Sequence, residues 1–161
     1  MIKVNSLINL LKRNKSDFFT GVPDSVLKDL STVLQKKNKQ QHIIASNEGA
    51  AVSIGIGHYL STNKIPTIYM QNSGLSNALN PLISIAHEKV YSIPLILIIG
   101  WRGSPRIKDE PQHNVKGKIT EQILKLLNIK YTILRSVSDI NKFDKHIKLA
   151  KKKKSNLAKF I

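Results

Sequence analysis

Short apolar stretches alternate with helix-spaced apolar stripes along this chain, and that alternation constrains the fold more than any other feature. Asp17 to Val22 reads as a strand ending in Gly-Val-Pro. His42 to Ala45, Pro66 to Met70, Ile93 to Ile99, Tyr131 to Leu134 and Leu157 to Ile161 read as further strands. Between them, Val26, Leu27, Leu30, Val33 and Leu34 recur at helical spacing, as do apolar positions in Gly49 to Leu60, Gly74 to Ala86, Ile119 to Leu127 and Ile140 to Lys152. Ile2 to Leu11 predicts one more helix ahead of the first strand. Pro23 suits the first turn of the helix that follows it, with Asp24 favoured at the positive end. Trp101 to Lys118, marked by Gly103, Pro105, Pro111 and Gly117, predicts a polar loop. Ile93 to Ile99 is apolar throughout, as a strand buried on both faces would be. The order predicts an α/β fold, an open, mostly parallel six-stranded sheet with helices on both faces, because parallel strands are joined by crossover helices.

A chain of 161 residues is one domain, long enough to bury roughly two thirds of its unfolded surface. Without cysteine it has no disulfide, thiolate metal site or cysteine nucleophile. Its N-terminus lacks the apolar run of a signal peptide, and Ile93 to Ile99 is too short to span a bilayer. The expected compartment is the cytoplasm, with no membrane partner. The net charge of +16 raises the question of nucleic acid. Yet 22 lysines accompany only 4 arginines, alongside 22 isoleucines and 13 asparagines, a bias that resembles AT-rich codon usage. The lysines clustered from Lys142 to Lys159 read as a solvated face, with a nucleic-acid patch as the alternative.

In parallel α/β sheets ligands bind at the carboxyl ends of strands. The segments placed there are Gly21 to Ser25, Asn47 to Gly49, Gln71 to Gly74 and Gly100 to His113, the most polar and glycine-marked in the chain. No dinucleotide fingerprint, phosphate loop or zinc-binding helix motif occurs. The five histidines have no metal spacing, so no metal ligands are assigned. Gly49 to Gly57 lies inside a helix and predicts close packing. Glu48 opens that helix, where a carboxylate is favoured. The small apolar residues after it predict a sheltered carboxyl group. An ordinary helix-start glutamate fits the pattern equally well.

Taken together, Phe19-Thr20-Gly21-Val22-Pro23-Asp24-Ser25, Asn47-Glu48-Gly49, Tyr69-Met70-Gln71-Asn72-Ser73-Gly74-Leu75, Tyr91-Ser92-Ile93-Pro94, Ile99-Gly100-Trp101-Arg102-Gly103 and Lys108-Asp109-Glu110-Pro111-Gln112-His113 resemble the pyrimidine-binding domain of the thiamine-diphosphate-dependent decarboxylases. The likeness runs from about Phe18 to Ile161. The Trp-Arg-Gly and Asp-Glu-Pro-Gln-His pieces favour the phosphonopyruvate branch, and the sulfopyruvate decarboxylase α subunit shares Gln-Asn-Ser-Gly-Leu. Ser76 stands where the resemblance leads one to expect glycine, a small-for-small change.

The resemblance implies thiamine diphosphate as cofactor and a small 2-oxo acid as substrate, 3-phosphonopyruvate giving phosphonoacetaldehyde and carbon dioxide. It places Glu48 on N1′ of the aminopyrimidine and Val22 and Pro23 beside that ring. Asn72, Ser73 and Gly74 complete the cofactor contacts, with Gly74 allowing close backbone approach. Asp24 becomes a candidate for handling protons, and His113 a candidate general acid with Gln112 beside it. Ser25, Gln71 and Arg102 become candidates for contacting substrate, Arg102 through its planar fork. Arg106 and Lys108 are looser candidates. The family's diphosphate and Mg²⁺ site, marked by Gly-Asp-Gly, has no counterpart in this sequence. The expectation is half of a catalytic unit, completed by a diphosphate-binding domain or subunit within an oligomer. The competing expectation is a catalytically inactive domain or a basic nucleic-acid-binding module.

Overall fold

The computed structural model describes residues 3–105, 108–153 and 157–160. One sheet contains β1 (Phe19–Gly21), β2 (His42–Ile44), β3 (Thr67–Gln71), β4 (Ile96–Gly100), β5 (Lys130–Ile133) and β6 (Leu157–Phe160) in the order β2-β1-β3-β4-β6-β5. Every neighbouring pair is parallel, so the expected six-stranded α/β fold is present without an antiparallel member.

Among the described residues six α-helices cover it: α1 (Val4–Arg13), α2 (Lys28–Leu34), α3 (Glu48–Thr62), α4 (Leu75–Pro81), α5 (Pro111–Leu126) and α6 (Val137–Lys153). The period-2 geometry of the central strands builds two cores. Ile96 and Ile98 of β4 and Tyr69 of β3 pack with Leu7, Leu11, Leu30, Leu34, Phe143 and Ile147 of α1, α2 and α6. Leu97 and Ile99 of β4 and Ile68 and Met70 of β3 pack with Ala51, Val52, Leu75, Ala78 and Leu124 of α3, α4 and α5. Both faces of β3 and β4 are therefore dry. The lysine-rich α6 buries Phe143, Ile147 and Ala150 and exposes Lys142, Lys145, Lys148 and Lys152, as a solvated face would. Among the described residues no helix is long and apolar enough to cross a membrane.

The connection after β1 leads outward to β2, and the connection after β3 leads the other way to β4. The chain thus reverses direction between β1 and β3, which makes their carboxyl ends the crevice of the sheet.

Several local expectations are corrected. Pro23 does not open α2, which starts only at Lys28 with Leu27 at its cap, and Asp24 caps nothing there. Val22 to Asp24 instead belong to no helix or strand, and the Val22 N–H donates to the Tyr69 carbonyl at 3.1 Å. β4 runs Ile96–Gly100, so Pro94 precedes the strand rather than interrupting it, consistent with its missing N–H. The expected continuous helix from Gly74 is divided. Asn72–Gly74 forms a 3-10 turn, α4 ends at Pro81, and Leu82–Ala86 winds as a π turn. Proline removes one helical hydrogen bond and crowds the carbonyl four residues back, here that of Asn77.

The largest correction concerns Trp101 to Lys118. Its second half is helical, because Pro111 starts α5. The first half is a turn clamped by Asp109. That carboxylate accepts Arg102 Nε and Nη2 at 2.7 and 2.6 Å and the backbone N–H groups of Gly103 and Glu110 at 2.9 Å each. Gly103, at φ +66°, then lies against the His113 carbonyl, and a Cβ on Gly117 would strike the Gly103 carbonyl. The Trp101 indole donates to the Gly117 carbonyl at 3.1 Å. The turn and α5 thus meet backbone to backbone.

Two outcomes follow from this packing. Helix propensity alone makes Gly→Ala favourable by about 1 kcal/mol. Gly57→Ala in α3, with nothing within 4 Å of the added methyl, should show a gain of that size in chemical denaturation. Gly117→Ala should instead destabilise by about 1–3 kcal/mol, the cost of overpacking against backbone that cannot step aside. The second outcome concerns pH. Hydrogen bonds from Arg102 hold the Asp109 carboxyl well below the usual carboxylate range, assisted by the Glu110 and Gly103 N–H groups. A depressed folded-state value stabilises the fold above the unfolded carboxylate pKa, near 4, and that contribution is lost as pH falls further. Melting temperatures of wild type and Asp109→Asn should differ most at neutral pH and converge as pH drops below about 4.

Candidate active site

Glu48 occupies the first turn of α3, directly beyond the carboxyl end of β2. Asn47 caps that helix, its Oδ1 accepting the Ala50 N–H at 2.8 Å. The cap fixes the direction in which Glu48 leaves the backbone. Asn77 Nδ2 of α4 donates to Glu48 Oε2 at 2.8 Å. The other side of the carboxyl lies against the Cα of Gly74, where any Cβ would collide with it. Gly49 does the same service between the helices, since a Cβ there would meet the Asn77 carbonyl at 2.8 Å. The Glu48 side chain is thus positioned by two helices pressed together where side chains are missing. Gly74 was expected to admit the cofactor; within this chain it admits Glu48. Nor is the site fully sheltered: Glu48 is half-buried and Ile44 beside it is 55% exposed on the edge strand.

From Gly74 a polar ridge runs along the strand ends. Ser73 Oγ donates to Gln71 Oε1 at 2.8 Å, and Gln71 Nε2 donates to Asp24 Oδ1 at 2.6 Å. The second Asp24 oxygen, Oδ2, is buried against Gly100 and has no hydrogen-bond partner among the described residues. Glu48, Gly74, Ser73, Gln71 and Asp24 therefore form one continuous group over β2, β1 and β3, with Gly100 of β4 at its end. Val22 is half-buried, and Pro23 and Ser25 are exposed at its rim.

Asn72 lies directly behind the ridge, only 4% exposed. Its amide donates to the Arg102 carbonyl and to Thr120 Oγ1, each at 3.0 Å, and its Oδ1 accepts the Arg102 N–H at 3.1 Å. Both of its amide hydrogens and its Oδ1 tie the end of β3 to Arg102 beyond β4 and to α5, so in this structure it braces the site.

The remaining candidates stand on the β4–α5 connection. The fork of Arg102 is filled by Asp109, which also raises the arginine's affinity for its proton. Gln112 and His113 sit on the first turn of α5, Gln112 exposed and His113 half-buried. His113 Nδ1 is buried without a partner among the described residues. These two reach the ridge only indirectly, through Gly103 and the Asn72–Thr120 bond. Lys108 is exposed beside a cavity of about 480 Å³ floored by Trp101, Ile133 and Phe160, and Arg106 lies outside the described residues. Among the described residues no cluster of three metal-ligating side chains occurs.

Sequence reasoning missed Asn77 and Asp109. An asparagine inside a helix, three residues past Gly74, opposes helix propensity and hints at a tertiary partner. Asp109 is one of only ten acidic residues in a chain of 26 basic ones, which made an internal partner for Arg102 findable.

A family model described as thiamine pyrophosphate enzyme, N-terminal TPP binding domain, matches residues 3–124. The chain is 34% identical over 119 residues to phosphonopyruvate decarboxylase of Streptomyces viridochromogenes, covering 74% of this chain and 29% of that protein. It is 36% identical over 115 residues to the sulfopyruvate decarboxylase subunit alpha of Methanococcus maripaludis, covering 71% of this chain and 66% of that one. With the corresponding Methanocaldococcus jannaschii subunit it shares 34% over 125 residues, 77% of this chain and 71% of the relative. The chain thus spans less than a third of the length of the phosphonopyruvate decarboxylases it matches. Its backbone superposes with a TM-score of 0.70 and 15% identity on a protein from Mycobacterium smegmatis provisionally assigned as a thiamin diphosphate-dependent enzyme, covering all of this chain and 31% of the other. With residues 3–124 matched by that family model, the chain belongs to the thiamine pyrophosphate enzyme family as an N-terminal TPP-binding domain.

Proposed function

We propose that this chain forms the pyrimidine-binding half of a thiamine-diphosphate-dependent 2-oxo acid decarboxylase, acting on 3-phosphonopyruvate in the cytoplasm. The observation that carries the reading is the Glu48 carboxyl group, held by Asn77 and Gly74 at the strand ends with lone pairs to spare. The residues fit the aminopyrimidine part of the cofactor. Glu48 offers a carboxylate at fixed height, Val22 and Pro23 a small apolar wall, and Asp24 Oδ2 an acceptor without a protein partner. The diphosphate and Mg²⁺ fall to a second domain or subunit, in an oligomer that closes the site from above the exposed edge of β2.

Thiamine diphosphate, when bound, supplies the electron sink that lets a 2-oxo acid lose carbon dioxide. The protein's part is binding, orientation and proton placement. Glu48 holds a proton at N1′ of the aminopyrimidine, and its single internal hydrogen bond keeps the carboxyl from turning away. Asp24, held by Gln71, takes or returns a proton on the substrate side. Ser73 keeps Gln71 in the orientation that donates to Asp24. His113 supplies a second proton donor when α5 and the incoming domain bring its unpartnered ring nitrogen into play. Lys108 and Arg106 draw the anionic substrate, while Arg102 shapes the turn through Asp109. Ser25 and Gln112 line the approach.

A second reading has its own support. The chain covers 66% and 71% of two sulfopyruvate decarboxylase α subunits, a far closer match in length than to the phosphonopyruvate enzymes. It would then act on sulfopyruvate with a separate partner chain. Assaying the assembled enzyme with both 2-oxo acids separates the two.

The test of the site is Glu48→Gln in the assembled, cofactor-saturated enzyme. Turnover should fall by about 10²–10⁴-fold, the usual weight of a general acid–base step. Gly74→Ala should follow it, because the added methyl takes the space of the Glu48 carboxyl while leaving the residue present. Near wild-type turnover in both variants, with folding and cofactor saturation verified, would remove Glu48 from the chemistry. The purified chain without a diphosphate-binding partner should show no decarboxylation and weak cofactor binding by calorimetry.

A further inference from the structure

The opposite edge of the sheet, where the strands begin, carries a second cleft of about 320 Å³. Three lysines line it, Lys15, Lys64 and Lys151, with Tyr59 and Pro94 forming an apolar wall. They arrive from separate parts of the chain. Lys15, itself left-handed at φ 54°, follows the cap residue Asn14 at the end of α1, and Lys64 follows Asn63, at φ 56°, which ends α3. Lys151 projects from α6. Ile65 and Pro94, also at the cleft, lead into β3 and β4, so this is the far end of the strands from Glu48.

The cleft is rich in cations, and among the described residues no carboxylate lines it. The carboxylate near Lys151 is Asp144, and it is already engaged. It accepts Asn14 Nδ2 at 2.7 Å and pairs with Lys148 at 2.7 Å and Arg13 at 3.7 Å. Lys151 itself donates to the Asn14 carbonyl, leaving further ammonium hydrogens to be satisfied. Burial, with Lys15 adding to it, lowers its hold on its proton. Helix C-termini attract cations, which accounts for Lys15 and Lys64 beside the ends of α1 and α3. Lys151, in the last turn of α6, likewise donates to the carbonyl of Asn14, the cap of α1, so helix ends account for each lysine singly but not for three of them lining one cleft. An anion with several acceptor oxygens removes the mutual repulsion and fills the open donors.

We propose that the Lys15–Lys64–Lys151 cleft is a second ligand site that binds the phosphate or diphosphate group of a small molecule, whose remainder rests on Tyr59 and Pro94. The cavity is near the lower end of the roughly 300–1,000 Å³ range of small-molecule sites, which favours a compact phosphorylated compound over a polymer. The site does not depend on the thiamine reading, since it uses none of the residues at the carboxyl edge.

Titrating the full chain with inorganic pyrophosphate at low ionic strength, by calorimetry and amide NMR, tests it. Saturable binding of one equivalent should appear, with the largest shifts at Lys15, Asn63, Lys64 and Ile65. Lys64→Met, on an exposed side chain, and Lys151→Met, which keeps the buried stem, should each weaken binding at least about tenfold, the size expected for a charge-assisted hydrogen bond. Lys142→Met on the solvated face of α6 should leave it unchanged. Equal weakening by all three variants would reduce the effect to diffuse charge. That result, shifts confined to other residues, or an absence of saturation would each overturn the proposal. Lys64→Met retains the test should Lys151→Met fail to fold.

Discussion

Everything at the carboxyl edge depends on backbone approaching closer than side chains allow. Gly74 presses on Glu48, Gly100 on Asp24, and Gly21 on the Tyr69 carbonyl and ring. Each lies at or just after the end of a central strand. A Cβ at any of them would displace a neighbour, and at Gly21 the neighbour is the backbone of the adjacent strand. The missing atoms let two carboxylates rest against main chain, partly shielded yet accessible from above. This is how a protein with little space at its crevice still holds acidic groups there without burying them at the full desolvation cost.

Orientation is then supplied by neutral amides. Asn77 holds Glu48, Gln71 holds Asp24, and Asn72 binds the two strand ends and α5 into one piece. An amide donates to a carboxylate without contributing a competing full charge, so the carboxyl is oriented by a neutral partner. Arginine serves the opposite purpose one turn away. Arg102 meets Asp109 in a bidentate pair with two backbone N–H groups on the same carboxylate. There the charge is fully engaged, and the result is a rigid turn rather than a reactive group. Neutral amides on Glu48 and Asp24 and a closed ion pair on Asp109 divide the edge between them.

Much of the architecture was legible because the central strands obey simple rules. Ile96 to Ile99 is apolar on both faces and is buried on both. The stripe on α6 and its lysine face separated cleanly as well. Failures fell where local rules competed with tertiary contacts. Pro23 has the chemistry of a helix start, but α2 begins only at Lys28 and Asp24 binds Gln71 instead of capping that helix. Trp101 to Lys118 has a loop's composition, yet its glycines serve backbone contact with α5. The placement of Glu48 was readable from its position after a strand and at a helix start. Its hold by Asn77 was not, because that bond spans 29 residues and depends on Gly49 and Gly74 bringing α3 and α4 together.

Charge distribution gives the sharpest contrast between the two ends of the sheet. The chain carries 26 basic and only 10 acidic residues. Asp24, Glu48, Asp109 and Glu110 nevertheless all lie in the short segments beyond β1, β2 and β4. A lysine-rich surface attracts anionic ligands almost anywhere, so positive charge cannot by itself define a reactive site here. Carboxylates can, because they are scarce and each one placed is opposed by few neighbours of its own sign. At the carboxyl edge Asp24 and Glu48 stand on amides and glycines, while Asp109 is closed in an ion pair with Arg102. At the amino edge three lysines meet in a cleft lined by no acid. One end of the sheet presents Asp24 and Glu48 and the other Lys15, Lys64 and Lys151, and the same parallel topology separates them by the length of a strand.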